Sequence, residues 1–258
     1  MSTGRSEAVK NLLRSLNPPE IGGWFMIGFP LLAGLATLPS AAGAALTVCG
    51  LAAFLMRVPL KQLRAGVRVP LSKRILAAGA LVITASGSMA WFLGDRQGFL
   101  PLALAAPAAA LALHADLRKQ ARNLGIEMAA LAFFCAFAAA IPVAGGAPLK
   151  DGTRLWLQAF LSLAPGFAAV RYQLYARREP DGSERRVRFW TMHATLLACL
   201  LAGGVLTLAG HAGPIWLGLQ LLLYGRAFAP LHRGPAWNLG VLEILADAAS
   251  LALTVLRL

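Results

Sequence analysis

Asn17–Pro18–Pro19–Glu20–Ile21–Gly22–Gly23–Trp24–Phe25–Met26–Ile27–Gly28–Phe29–Pro30 opens the first long apolar run of the chain. The stretch puts a carboxylate, two adjacent glycines and a tryptophan at the mouth of that run. A charged side chain entering a membrane helix is costly unless it meets water or a partner. Glu20 therefore asks for a cation, and the rest of the sequence supplies arginines at the ends of further apolar runs.

Working outward, the chain has 258 residues, 58% of them hydrophobic and 14% charged. A soluble domain carries close to twice that charged fraction, so the class is integral membrane. The net charge of +13 does not form one basic face. Its lysines and arginines sit in short clusters between apolar runs, which excludes nucleic acid as a partner and points to orientation in a bilayer. Cys49, Cys135 and Cys199 lie inside apolar runs without paired spacing and read as small hydrophobes, with neither a disulfide nor a metal site. Arg5, Lys10 and Arg14 precede the first run as in a signal peptide. Pro30 interrupts the run and a second span follows almost at once, so a retained hairpin is expected.

Crossing the hydrocarbon core takes ~20 apolar residues per helix, somewhat fewer where a helix tilts or the membrane thins. On that ruler the sequence predicts an all-α polytopic protein with nine transmembrane helices, over residues 20–38, 41–56, 75–93, 99–113, 124–143, 155–175, 189–208, 213–229 and 239–255. Residues 1–19 form a cytoplasmic N-terminal segment, and residues 20–258 a single transmembrane domain. With the N-terminus inside, only Arg96, Lys150, Arg154 and Arg257 of the 24 lysines and arginines fall on the outer side. That is the bias expected of a multi-pass inner-membrane protein. Glu20 and Glu127 each open a helix, and Arg57 and Arg171 lie near the inner ends of the helices that follow them. This pairing predicts two parallel four-helix halves plus a ninth helix.

The acids are few. Asp116 is expected in an inner loop, Glu179, Asp181 and Glu184 in another, Asp95 and Asp151 in outer loops, and Glu7 in the N-terminal segment. Glu20, Glu127, Glu243 and Asp247 fall within predicted spans, all in the cytoplasmic half, and the last two are i,i+4 neighbours on one face. Arg57, Arg122, Arg171 and Arg226 lie at the same depth. One reading is a cytoplasm-facing polar cavity in which these eight side chains satisfy one another and bind a ligand. The other is that Glu20 and Glu127 are helix N-terminal charges favoured by the macrodipole, which cannot account for both Glu243 and Asp247. His193, inside the seventh span, reads as a hydrogen-bonded packing residue or a proton carrier. Trp24, Trp91, Trp156, Trp190 and Trp237 fall near predicted interfaces and read as belt anchors.

At Pro19–Glu20–Ile21–Gly22–Gly23–Trp24, with Met26 and Pro30–Leu31–Leu32–Ala33–Gly34 following, the chain resembles the opening of the YwiC-like family of bacterial membrane proteins. Arg57–Val58–Pro59–Leu60, Arg122–Asn123–Leu124–Gly125–Ile126–Glu127, Arg171–Tyr172 with Arg177, and Leu239–Gly240–Val241–Leu242–Glu243 continue the resemblance. The family's opening histidine is replaced by Ile21 and its basic lead residue by Pro19, so a proton-handling role for that histidine is not expected here. The resemblance implies an architecture like that of the UbiA-type prenyltransferase superfamily, with nine helices and a cytoplasm-facing cavity. Those enzymes hold magnesium through aspartate-rich motifs after the second and sixth helices. Here residues 57–74 contain no acid, and Glu179, Asp181 and Glu184 sit among arginines. The expectation is a cavity that binds membrane lipid or another anionic or amphipathic small molecule through arginine, without cofactor or metal and with no catalytic residue assigned. Two rivals stand. A divergent prenyl or lipid transferase predicts magnesium-dependent turnover, and a small-molecule transporter or exporter predicts titration of Glu243 and Asp247 during substrate movement.

Overall fold

A computed structural model describes residues 21–64, 70–118, 124–178, 183–225, 249, 252 and 253. Among the described residues the chain is helical, in eight α-helices: α1 Ile21–Thr37, α2 Ala41–Arg64, α3 Pro70–Leu93, α4 Phe99–Leu117, α5 Leu124–Ala144, α6 Leu149–Arg178, α7 Ser183–Leu208 and α8 Pro214–Gly225. A short 3₁₀ turn, Arg96–Gly98, joins α3 to α4. Five of these helices are long and apolar enough to cross a membrane, and α1 carries a shorter apolar stretch, Met26–Thr37. The protein is therefore a multi-pass membrane protein. All but three residues of the ninth predicted span, 239–255, lie outside the described residues.

The first seven predicted spans recur as helix cores, and the eighth as far as Gly225, but several helices run further at their charged ends. α2 continues from position 56 to Arg64, α3 begins at Pro70, and α4 continues from position 113 to Leu117. Residues expected in loops are thus helical, including Arg57, Lys61, Lys73, Arg74 and Asp116. The expected outer loop 144–154 is cut short in the same way, because α6 starts at Leu149. The physical reason is that a hydrocarbon core of about 30 Å limits the apolar run, whereas the backbone ladder continues into the polar zone wherever propensity and capping allow.

The chain divides into two compact units, residues 1–149 and 150–258. In the first, α5 is the central element. Its faces are buried against α1, α2 and α4, so the helix that a repeat would assign to a second half packs with helices of the first. Ile27 and Leu31 of α1, Leu46 and Phe54 of α2, and Phe134, Phe137 and Ile141 of α5 form one core. Trp24, Phe54 and Phe134 make successive edge-to-face pairs with centroids 5.5 and 5.7 Å apart. Close approach depends on glycine where α1 and α2 meet Ile141: a Cβ on Gly34 or Gly43 would lie 2.8 or 2.9 Å from that side chain. Leu81 and Phe92 of α3 and Leu104 of α4 are exposed on the protein surface, as suits helices whose solvent is lipid.

In the second unit, α6 runs without a break through the interior Pro165. Trp216 of α8 is buried and its indole N–H donates to Ser162 Oγ of α6 at 3.1 Å. Glu184, in the first turn of α7, accepts from the Tyr175 hydroxyl at 2.9 Å, and the Arg188 guanidinium lies 3.7 Å from the Tyr175 ring centroid. That clasp ties the end of α6 to the start of α7. Gly210, at positive φ, ends α7, the left-handed cap that glycine tolerates.

Candidate functional site

The site grows from an irregular feature of α2. Pro59 lies inside the helix and is fully buried. It has no N–H to donate to the carbonyl of Leu55, one turn earlier, so the helix past it needs tertiary support. Arg57 and Lys61 bracket the proline at i,i+4, on one face of α2. Both reach one carboxylate, Asp116, in the last turn of α4.

Asp116 is held at both oxygens. Arg57 donates through Nε to Oδ2, and the Lys61 ammonium lies 2.5 Å from Oδ1. The carboxylate side chain is 5% exposed, the arginine 35% and the lysine 43%. A buried anion is thus compensated by two cations whose far sides meet solvent, and the triad carries a net charge of +1. Among the described residues, the two terminal amino groups of Arg57 make no further hydrogen bond, so that edge of the guanidinium can meet a ligand. Beside the triad, Ser72 of α3 donates to Gln62 Oε1 at 2.8 Å, joining α3 to the same turn of α2. Among the described residues, no three His, Cys, Asp or Glu side chains gather as a metal site would need.

Of the eight predicted site residues, Arg57 takes part in this cluster. Glu127 stands in the first turn of α5, partly buried, where its predicted position puts it. Arg171 lies on α6 in the second unit, also partly buried. Glu20, Arg122, Arg226, Glu243 and Asp247 lie outside the described residues. Asp116 and Lys61 were missed because both were assigned to loops. A signal was available: an acid in the last turn of a helix opposes the macrodipole, and its presence there implies a cation from elsewhere. His193 is buried, with Nδ1 3.0 Å from the Phe189 carbonyl, as the packing reading expects.

A family model described as YwiC-like protein matches residues 17–142, a segment that starts just before α1 and ends in the last turn of α5. Over this segment the chain belongs to the YwiC-like family. The match contains Arg57, Pro59, Lys61 and Asp116, so the triad lies wholly within the YwiC-like part of the chain. No curated protein and no solved structure matches the chain.

Proposed function

We propose that this YwiC-like protein binds the anionic headgroup of an amphipathic molecule at the end of the first unit where α2 and α4 terminate, and that this end faces the cytoplasm of the bacterial inner membrane. The observation that carries the reading is the triad: Asp116 engages Arg57 through Nε and so fixes the guanidinium plane. The unengaged edge then presents paired N–H donors to a phosphate or carboxylate, a geometry for which a planar fork is better suited than a point charge. Lys61 adds a second cation one turn away, and the excess positive charge draws an anion rather than a metal.

The nine-span, UbiA-like arrangement with the N-terminus inside belongs to the same proposal. The one-sided distribution of lysine and arginine supports it. Glu20, Arg122 and Glu127 are the further candidate contacts in the first unit. Arg171, Arg226, Glu243 and Asp247 are candidates in the second on the sequence argument.

The test compares farnesyl phosphate with farnesol for binding to the full chain in phosphatidylcholine nanodiscs. The phosphate binds more tightly, and Arg57→Ala weakens it about tenfold or more, as expected for charge-assisted hydrogen bonds, while farnesol is unaffected. Equal affinity for phosphate and alcohol, or an Arg57→Ala variant that binds the phosphate as well as the parent, overturns the reading.

A further inference from the structure

The end of the first unit that holds the triad carries more positive charge than the triad uses. Two contacts gather three helix ends there. Asp116 ties α4 to Arg57 and Lys61 of α2, and Ser72, the third residue of α3, donates to Gln62 of α2 at 2.8 Å. Lys73 and Arg74 follow Ser72 directly, Arg64 is the last residue of α2, and Arg118 caps α4. All four are exposed, and among the described residues none of them pairs with an acid. Like charges gathered at one end repel one another, so their counterions come from outside the protein.

What α3 presents next to these cations decides which counterion fits. Arg74, Ala78, Leu81 and Ala85 stand at i, i+4, i+7 and i+11, and all four are exposed. At 3.6 residues per turn they fall within a sector of about 60°. The cationic end of α3 therefore continues into an open apolar strip, on which Leu81 is 70% exposed. From Arg74 to Ala85 the strip rises about 16 Å, close to half of the ~30 Å hydrocarbon core and so to the depth of one leaflet's acyl chains.

A soluble anion would answer the charge and leave the strip bare, whereas a phospholipid with a net negative headgroup answers both. We propose that an anionic bilayer phospholipid of the phosphatidylglycerol type is bound at the start of α3, its phosphate on Lys73 and Arg74 and an acyl chain along Leu81 and Ala85. Arg64 and Arg118 add to the field that draws it, as clustered cations at helix ends do for anionic lipid. The site is separate from the anion-binding proposal, since it uses neither Arg57 nor Lys61 and takes its occupant from the bilayer itself.

Native mass spectrometry of the full chain, purified in detergent with equimolar phosphatidylglycerol and phosphatidylcholine, counts the lipids that stay bound. The expected result is retention of phosphatidylglycerol over phosphatidylcholine. That preference falls about tenfold in the Lys73→Gln, Arg74→Gln double variant, as the loss of two cations at a charged headgroup implies. The charge-conserving exchange Lys73→Arg, Arg74→Lys keeps the preference, which separates the effect of charge from a fault in folding. Arg57→Ala keeps it as well, so a failure of the farnesyl phosphate test leaves this site standing. Equal retention of the two lipids, a preference unchanged in the glutamine variant or lost in Arg57→Ala, or displacement of the bound lipid by excess inorganic phosphate overturns the proposal.

Discussion

Replacing Asp116 by asparagine keeps the shape of the side chain and removes the charge that two cations share. One amide oxygen remains to accept, and an NH₂ group now points at a cation. Each charge-assisted bond contributes roughly 1.5–3 kcal/mol, and breaking a fully buried pair costs about 3–5 kcal/mol. The carboxylate is 5% exposed but its partners are 35% and 43% exposed, so both cations regain water when released. That partial rehydration lowers the expected loss to about 2–3 kcal/mol. For a chain of this length it corresponds to a fall of about 4–12 °C in Tm, read from tryptophan fluorescence on heating in one fixed detergent. Arg57→Gln lowers Tm by a similar amount, and Lys61→Gln by less, since the lysine is the more exposed partner. In the double variant of Arg57 and Asp116 the losses do not add, leaving a coupling of about 1–3 kcal/mol. Additive losses, or a Tm unchanged in Asp116→Asn, refute the claim that the triad supports α2 beyond Pro59.

The glycine seam makes a contrasting pair. A Cβ at Gly98 would stand 2.7 Å from the Ala144 backbone nitrogen, whereas one at Gly28 meets nothing within 4 Å. Gly98→Ala therefore loses about 3 kcal/mol or more of stability, or monodisperse protein on size exclusion, while Gly28→Ala is neutral or gains up to about 1 kcal/mol. Trp216→Phe retains the buried ring and loses the bond to Ser162, lowering stability by about 1–2 kcal/mol. Ser162→Ala strands the same indole N–H and matches it, with the double variant no worse than either in thermal melts. Tyr175→Phe opens the clasp at the start of α7, whose Arg188 and Glu184 side chains are 47% and 72% exposed. Its effect stays below about 1 kcal/mol, and the ionic part of the clasp fades between low and high salt.

Apolar length was the legible part of this chain, because the hydrocarbon core imposes a ruler that sequence can be measured against. The cores of α2 to α5 and of α7 follow from it. What apolar length cannot show is where a helix ends once it leaves the hydrocarbon, since charged residues such as Arg57, Lys61 and Asp116 are as compatible with a helix as with a loop. Reading them as loop residues dispersed three groups that the helices gather. The clue that survives this ambiguity is electrostatic. A carboxylate near a helix C-terminus is disfavoured by the local dipole, so Asp116 has a reason to be there only if something positive stands opposite, and an i,i+4 pair of cations around a helix-interior proline is the arrangement that needs such an anion. Burial is the second blind spot. Gln158, Gln173 and Gln220 look like ordinary polar residues scattered in the sequence, and only the packing of the second unit shows that they are inside it. The same physics governs both cases: a polar group taken from water requires a partner, and the sequence names the group without naming what stands across from it.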